Sequence, residues 1–90
     1  MGWIVRLTDS AADDLSKLDT QTRNRIWRFL RRWIVEADNP RERGAALTDD
    51  LSGMWKYRIG DYRLLCEIQD SALVVLIVKA GHRSKIYRRK

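Results

Sequence analysis

Residues 54–69 read Met-Trp-Lys-Tyr-Arg-Ile-Gly-Asp-Tyr-Arg-Leu-Leu-Cys-Glu-Ile-Gln, and the period of two in this stretch decides the fold. Met54–Ile59 alternates, with Trp55, Tyr57 and Ile59 on one side and Lys56 and Arg58 on the other. Tyr62–Gln69 alternates in the same way, with Tyr62, Leu64, Cys66 and Ile68 sharing a side. Successive strand residues project to opposite faces, so both stretches read as half-buried strands. Gly60-Asp61 between them is a two-residue loop with glycine first, the pattern of a type II′ hairpin turn. A loop of that length fixes the register: Ile59 opposite Tyr62, Arg58 opposite Arg63, Tyr57 opposite Leu64 and Lys56 opposite Leu65. The aromatic and aliphatic set must face a covering layer, which leaves Lys56, Arg58 and Arg63 together on the other face. Directly opposed side chains have Cβ atoms about 5 Å apart, and like charges at that distance are unfavourable. Two readings follow. Either an anion sits between the arginines, or they splay into water and Glu67, on the same face, pairs with Arg63.

N-terminal to the hairpin, Trp3-Ile4-Val5-Arg6-Leu7 is a short β-rich stretch closed by Thr8-Asp9-Ser10, a strand followed by a helix cap. Ala11, Leu15 and Leu18 recur at helical spacing and predict a short helix over about residues 9–18. Asp19 or Thr20 caps a second helix, whose stripe is Ile26, Leu30, Trp33 and Ala37, widened by Trp27 and Ile34. Arg23, Arg25, Arg28, Arg31 and Arg32 read as its solvated face, with a nucleic-acid-binding helix as the alternative, and the tryptophans mostly as core. Asn39-Pro40 ends that helix, because the residue before proline is pushed out of the α region. Residues 39–53 lack periodicity and read as a connecting loop. Beyond a second turn at Asp70-Ser71, Leu73–Val78 is apolar at every position, as in an interior strand covered on both faces. The predicted class is α+β in the order β-α-α-β-β-β: two N-terminal helices on one face of a twisted antiparallel sheet, in a single domain over residues 1–90.

The charges are unevenly placed. The chain has 18 basic and 12 acidic side chains; Lys79, Arg83, Lys85, Arg88, Arg89 and Lys90 supply six cations and no acid to the last twelve residues, so residues 1–78 are balanced at twelve of each. A neutral body with a cationic end that also holds His82 and Tyr87 points to a phosphate backbone as partner. A frayed basic tail is the alternative. The single cysteine, Cys66, excludes an intrachain disulfide and fits a reducing, cytoplasmic setting. The N-terminus lacks the basic and long apolar regions of a signal peptide, and nothing predicts a membrane association. One histidine, one cysteine and scattered acids give no metal-ligand spacing, and no cofactor motif is present.

These residues suit metal-independent cleavage of RNA. RNA supplies its own nucleophile, the 2′-OH, so the protein needs cations around the phosphorane, a base near the 2′-OH and an acid near the leaving 5′-oxygen. Lys56, Arg58, Arg63, His82, Arg83 and Tyr87 contain those types, with Lys79, Lys85, Arg88 and Arg89 as further RNA-binding cations.

The string Leu51-Ser52-Gly53-Met54-Trp55-Lys56-Tyr57-Arg58-Ile59-Gly60-Asp61-Tyr62-Arg63-Leu64-Leu65, followed by Gly81-His82-Arg83-Ser84-Lys85-Ile86-Tyr87, resembles the RelE toxins of bacterial and archaeal toxin–antitoxin systems. The resemblance spans essentially the whole chain. It implies a microbial-RNase-like fold and a ribosome-dependent endoribonuclease. Such an enzyme cuts mRNA in the ribosomal A site and leaves a 2′,3′-cyclic phosphate and a 5′-hydroxyl. Carried over, Arg63 stabilises the transition state, Arg83 stabilises or protonates the leaving group, and Tyr87 orients or deprotonates the 2′-OH and stacks on mRNA. Lys56 and Arg58 fall close to the phosphate. Some relatives have lysine at Arg58, and an arginine does not easily serve as a base; proton transfer then falls on Tyr87, with His82 or Lys56 assisting. The resemblance also implies an acidic RelB-like antitoxin, and operator DNA bound only through the antitoxin complex. Two other readings remain open: the ParE branch of the same superfamily, which poisons DNA gyrase, and a non-catalytic basic nucleic-acid-binding module.

Overall fold

A computed structural model describes residues 2–48 and 51–86. The chain runs β1 (Ile4–Leu7), α1 (Asp9–Ser16), α2 (Thr20–Leu30), a π-type turn (Arg31–Val35), a 3-10 turn (Pro40–Glu42), β2 (Ala45–Ala46), β3 (Trp55–Ile59), β4 (Tyr62–Gln69) and β5 (Val74–His82). The five strands form one sheet in the order β1-β5-β4-β3-β2.

The hairpin forms in the predicted register, with Arg58 opposite Arg63 and Tyr57 opposite Leu64. Gly60 has φ +59° and Asp61 does not share a positive φ, which fits a type II′ and excludes a type I′ turn. Tyr57, Leu64 and Cys66 are fully buried against the helices. Both helix caps are as read: Thr8 Oγ1 accepts from Ala11 N at 3.1 Å, and Asp19 Oδ2 accepts from Thr22 N at 3.1 Å.

Several expectations need correction. The sheet is mixed, not antiparallel, because β1 pairs in parallel with β5. A short turn forces its two strands antiparallel; β1 is joined to no neighbour by such a turn, and two helices intervene before the chain re-enters the sheet. The first helix stops at Ser16, two residues short of the prediction. In α2 the buried stripe is Ile26, Leu30 and Ile34, while Trp33 is half-buried and Trp27 is exposed. A spacing of four drifts about 40° per step around a regular helix. The wide turn closed by Glu36 N on Arg31 O at 2.9 Å takes that drift back and returns Ile34 to the core. The stretch 39–53 is not wholly irregular: Ala45–Ala46 adds an edge strand to β3.

β5 is the interior strand its composition predicts, although Leu73 lies outside it, in the left-handed region at φ +55°. Val75 and Ile77 face the helices; on the far side Leu76 is only half-covered. The β4–β5 register slips between Leu65 and Cys66, with Leu65 opposite Lys79 but Cys66 opposite Ile77. This places the extra residue, Val78, on β5 as a bulge. Past Leu7 the outer edge of β5 has no strand beside it. Thr8 Oγ1 donates to Val78 O at 3.0 Å, and Asp14 Oδ2 accepts from Ala80 N at 3.0 Å, so α1 satisfies that edge. Among the described residues no helix is long and apolar enough to cross a membrane.

Tyr57 ties the loop to the core: its hydroxyl donates to Pro40 O at 2.6 Å, and its ring meets Phe29 edge-on at 5.6 Å. Burial pushes the Tyr57 phenol and the Cys66 thiol above their ordinary values of 10.0 and 9.0. Groups held neutral by the fold stabilise it below their unfolded values and lose that contribution as pH rises through the folded ones. Tyr57→Phe should therefore destabilise the protein by about 1 kcal/mol at neutral pH, and should lose less stability than wild type between pH 8 and pH 11 in urea titrations. Cys66 should react with a thiol reagent at pH 8 only after unfolding.

Candidate active site

Three of the predicted site residues, Arg58, Arg63 and Arg83, lie at the β3–β4 turn. Arg63 Nη1 donates to Gly60 O at 2.9 Å and to Tyr62 O at 3.0 Å. Arg58 lies opposite Arg63 on β3, and Gly81 lies opposite it on β5. Two residues beyond Gly81, Arg83 N donates to Asp61 O at 2.7 Å, and Arg83 Nε stands 3.6 Å from Asp61 Oδ1. Arg58, Arg63 and Arg83, from three segments, thus share one end of the sheet. Lys56 lies further along the face of Arg58 and Arg63, opposite Leu65. Glu67 does not take the pairing role with Arg63 that the sequence allowed: its carboxylate accepts from Gln69 Nε2 at 2.7 Å, and Arg63 bonds the turn instead.

His82 takes a different position. It lies opposite Tyr62, and the alternation puts that pair on the helix side, away from Arg58 and Arg63. The two rings meet edge-on at 5.6 Å. His82 Nδ1 accepts from Ser84 N at 3.1 Å and lies 2.8 Å from Ser84 Oγ. A backbone N–H only donates, so the neutral ring carries its proton on Nε2. Lys79 Nζ stands 3.9 Å from Asp14 Oδ2. Lys79, Lys85 and His82 line a cleft of about 200 Å³ together with Asp14, Ala80 and Ile86. Tyr87, Arg88 and Arg89 lie outside the described residues.

The sequence marks Asp61 only as a turn residue, and in the structure it is the acid that faces Arg83. The signal was present in the sequence: a carboxylate at the tip of an otherwise cationic hairpin.

The model of the ParE toxin family of type II toxin–antitoxin systems matches residues 5–87. The chain belongs to the RelE/ParE family of toxins. Toxin RelG of Mycobacterium tuberculosis is 35% identical over 89 residues, 99% of this chain and all of that relative. Toxin RelE of the same organism is 33% identical over 84 residues, 93% of this chain and 84% of the relative. Among solved structures, the toxin–antitoxin complex RelBE2 from M. tuberculosis aligns with a TM-score of 0.79 at 31% identity, covering 92% of this chain and 93% of that one. The isolated Escherichia coli RelE toxin has a TM-score of 0.72 at 15% identity, over 99% of this chain and 89% of that one, a likeness of fold. Two helices on a five-stranded mixed sheet are thus the RelE-like arrangement, and the chain is a toxin of a type II system.

In this toxin the Gly60 turn is set by more than its φ of +59°. A Cβ at Gly60 would lie 2.7 Å from Arg25 Nη1, on α2. Gly60→Ala should cost about 1–3 kcal/mol from the left-handed backbone alone, because the exposed Arg25 guanidinium, the far end of a flexible side chain, moves aside at little cost. In an Arg25→Ala background the cost should be nearly the same, which a double-mutant cycle of urea unfolding measures.

Proposed function

We propose that this toxin is a ribosome-dependent endoribonuclease that cuts mRNA in the A site by attack of the 2′-OH on the adjacent phosphate, and that an acidic antitoxin holds it in check. The observation that carries the reading is that Arg58, Arg63 and Arg83 share the end of the sheet at one two-residue turn. Guanidinium groups hold their charge at any working pH and present paired donors to phosphate oxygens.

In this mechanism the 2′-oxygen forms a bond to phosphorus as the bond to the 5′-oxygen breaks. The products are a 2′,3′-cyclic phosphate and a 5′-hydroxyl. Arg63 and Arg58 neutralise the charge gathering on the non-bridging oxygens. Arg83, held by its backbone on Asp61, stabilises the charge on the departing 5′-oxygen, which takes its proton from solvent water. Tyr87, as the phenolate, takes the 2′-OH proton, with Lys56 assisting. His82, bonded to Ser84 and packed on Tyr62, acts as the brace of the Arg83 segment rather than as a proton carrier. Solved relatives seen as toxin–antitoxin complexes, RelBE2 from M. tuberculosis among them, support an antitoxin partner. A neutral body with a cationic end favours an acidic one.

A second reading rests on one observation: the family model that matches is that of ParE. A ParE-like gyrase poison predicts DNA damage and filamentation on expression. The nuclease reading predicts loss of translated mRNA.

Primer extension on mRNA translated in vitro separates them. Wild type should give discrete A-site cuts. Arg63→Ala and Arg83→Ala should each slow cleavage by about 10²–10³-fold, and Tyr87→Phe should abolish most cutting while ribosome binding persists. His82→Gln should leave the pH–rate profile between pH 5 and pH 8 unchanged in shape. Intact transcripts with wild-type toxin would reject the nuclease.

A further inference from the structure

One more cation meets the β3–β4 turn, and it comes from the helical layer. Arg25 belongs to α2, among arginines that read as a solvated face. Its guanidinium instead lies against Gly60: Nη1, Cζ and Nη2 fall 2.7, 3.1 and 3.2 Å from the point where a side chain on Gly60 would begin. Three guanidinium atoms at similar distances from one point describe a group laid broadside on the turn. Glycine leaves the space that this approach needs.

Arg63 holds the same turn through Gly60 O; the backbone N–H of Arg83 bonds Asp61 O, and its guanidinium faces the Asp61 carboxylate. Guanidinium groups from α2, β4 and the segment after β5 therefore surround two residues. The acid at the turn is Asp61, 3.6 Å from Arg83 Nε with both side chains largely exposed. Three cations against one carboxylate leave a positive rim that a polyanion relieves. The other concentration of arginines and aromatics differs. There Arg43 stacks on Trp33 at 3.8 Å, but Glu36, Asp38 and Glu42 line the adjoining cleft and Asp70 takes both Nη groups of Arg41. Its charge is cancelled locally, and that of the turn is not.

Arg25 approaches from the helix side, whereas Arg58 and Arg63 project from the opposite face of the sheet. Cations on opposite sides of a turn are better placed for successive phosphates than for one. A strand crossing the turn would set one phosphate against the sheet arginines and a neighbouring one against Arg25. On the nuclease reading above, we propose that Arg25 is an RNA-binding residue that holds a second backbone phosphate, flanking the one that is cut. It positions the strand and takes no part in the bond changes. Stacking on the turn fixes the planar group while its outward N–H donors stay available.

The test uses fluorescence anisotropy with a labelled single-stranded RNA, alongside cleavage of translated mRNA. Arg25→Ala should weaken RNA binding about tenfold, the loss of one charge-assisted hydrogen bond. It should also reduce the slope of log affinity against log salt by about 0.7. Arg25→Lys should restore the salt slope and only part of the affinity. In the cleavage assay Arg25→Ala should raise the toxin concentration for half-maximal cutting and leave the saturated rate within about twofold of wild type. Should Arg25→Ala lower the melting temperature, Arg25→Gln, closer in length, gives the same comparison. Wild-type affinity and salt slope in a folded variant would overturn the assignment while leaving the nuclease intact. If wild type binds RNA but leaves translated mRNA uncut, the nuclease fails, and a loss of binding on Arg25→Ala still supports the phosphate contact. No RNA binding by wild type would overturn the Arg25 assignment, while the nuclease stands or falls on the cutting of translated mRNA.

Discussion

The left-handed backbone at Gly60 is the constraint on which the rest of the molecule hangs. A φ of +59° at the first loop position lets β3 and β4 turn within two residues and so fixes their register. With register fixed, the alternation of the two strands has only one outcome. Tyr57, Leu64 and Cys66 go under the helices, and Lys56, Arg58 and Arg63 go to the other face. A slip of one residue would bury the arginines and expose the aromatics, at a cost far beyond the stability of a domain this size. Absence of a side chain at the same glycine also admits the Arg25 guanidinium. One residue thus sets the core and gathers the charges.

The charge cluster is assembled at the surface, where like-charge repulsion is screened by water. It is held by backbone acceptors more than by acids. Arg63 bonds two carbonyl oxygens, and the segment bearing Arg83 is tied down by its own N–H. The exposed Asp61–Arg83 pair adds little stability. Carbonyl oxygens position a guanidinium without consuming its charge, so the cations stay free to meet a phosphate. Stability is drawn from the opposite face, where Ile26, Leu30 and Ile34 press on Tyr57, Leu64 and Val75, each aliphatic side chain contributing about 1.5–3 kcal/mol of transfer free energy. Core and site share strands but not faces, which is how a 90-residue toxin carries a dense positive rim on a stable frame.

Local chemistry made much of this legible. Two-residue periodicity gave the hairpin and its faces, Thr8 and Asp19 gave both helix starts, and the apolar run after Leu73 gave a central strand. The family resemblance rested on the same hairpin and on Gly81–Tyr87, and the comparisons bear out the family and its fold. Where a signal depended on distant partners, the reading fell short. Ala45–Ala46 has no strand pattern and becomes one only because β3 offers an edge. Trp33 and Ala37 fit a regular helical stripe, but a widened turn gave the core position to Ile34.

Hydrogen-bond geometry, side-chain alternation and capping act over two to four residues, so the chain alone dictates the hairpin, its register and the separation of cationic from apolar faces. The parallel docking of β1 on β5, the capping of the β5 edge by Asp14, the orientation of His82 away from the sheet arginines and the arrival of Arg25 on Gly60 join residues between 20 and 70 positions apart. No local pattern encodes such meetings. They arise when the helices settle on the sheet to exclude water, and the packing that results selects which of the many surface arginines stands beside the turn.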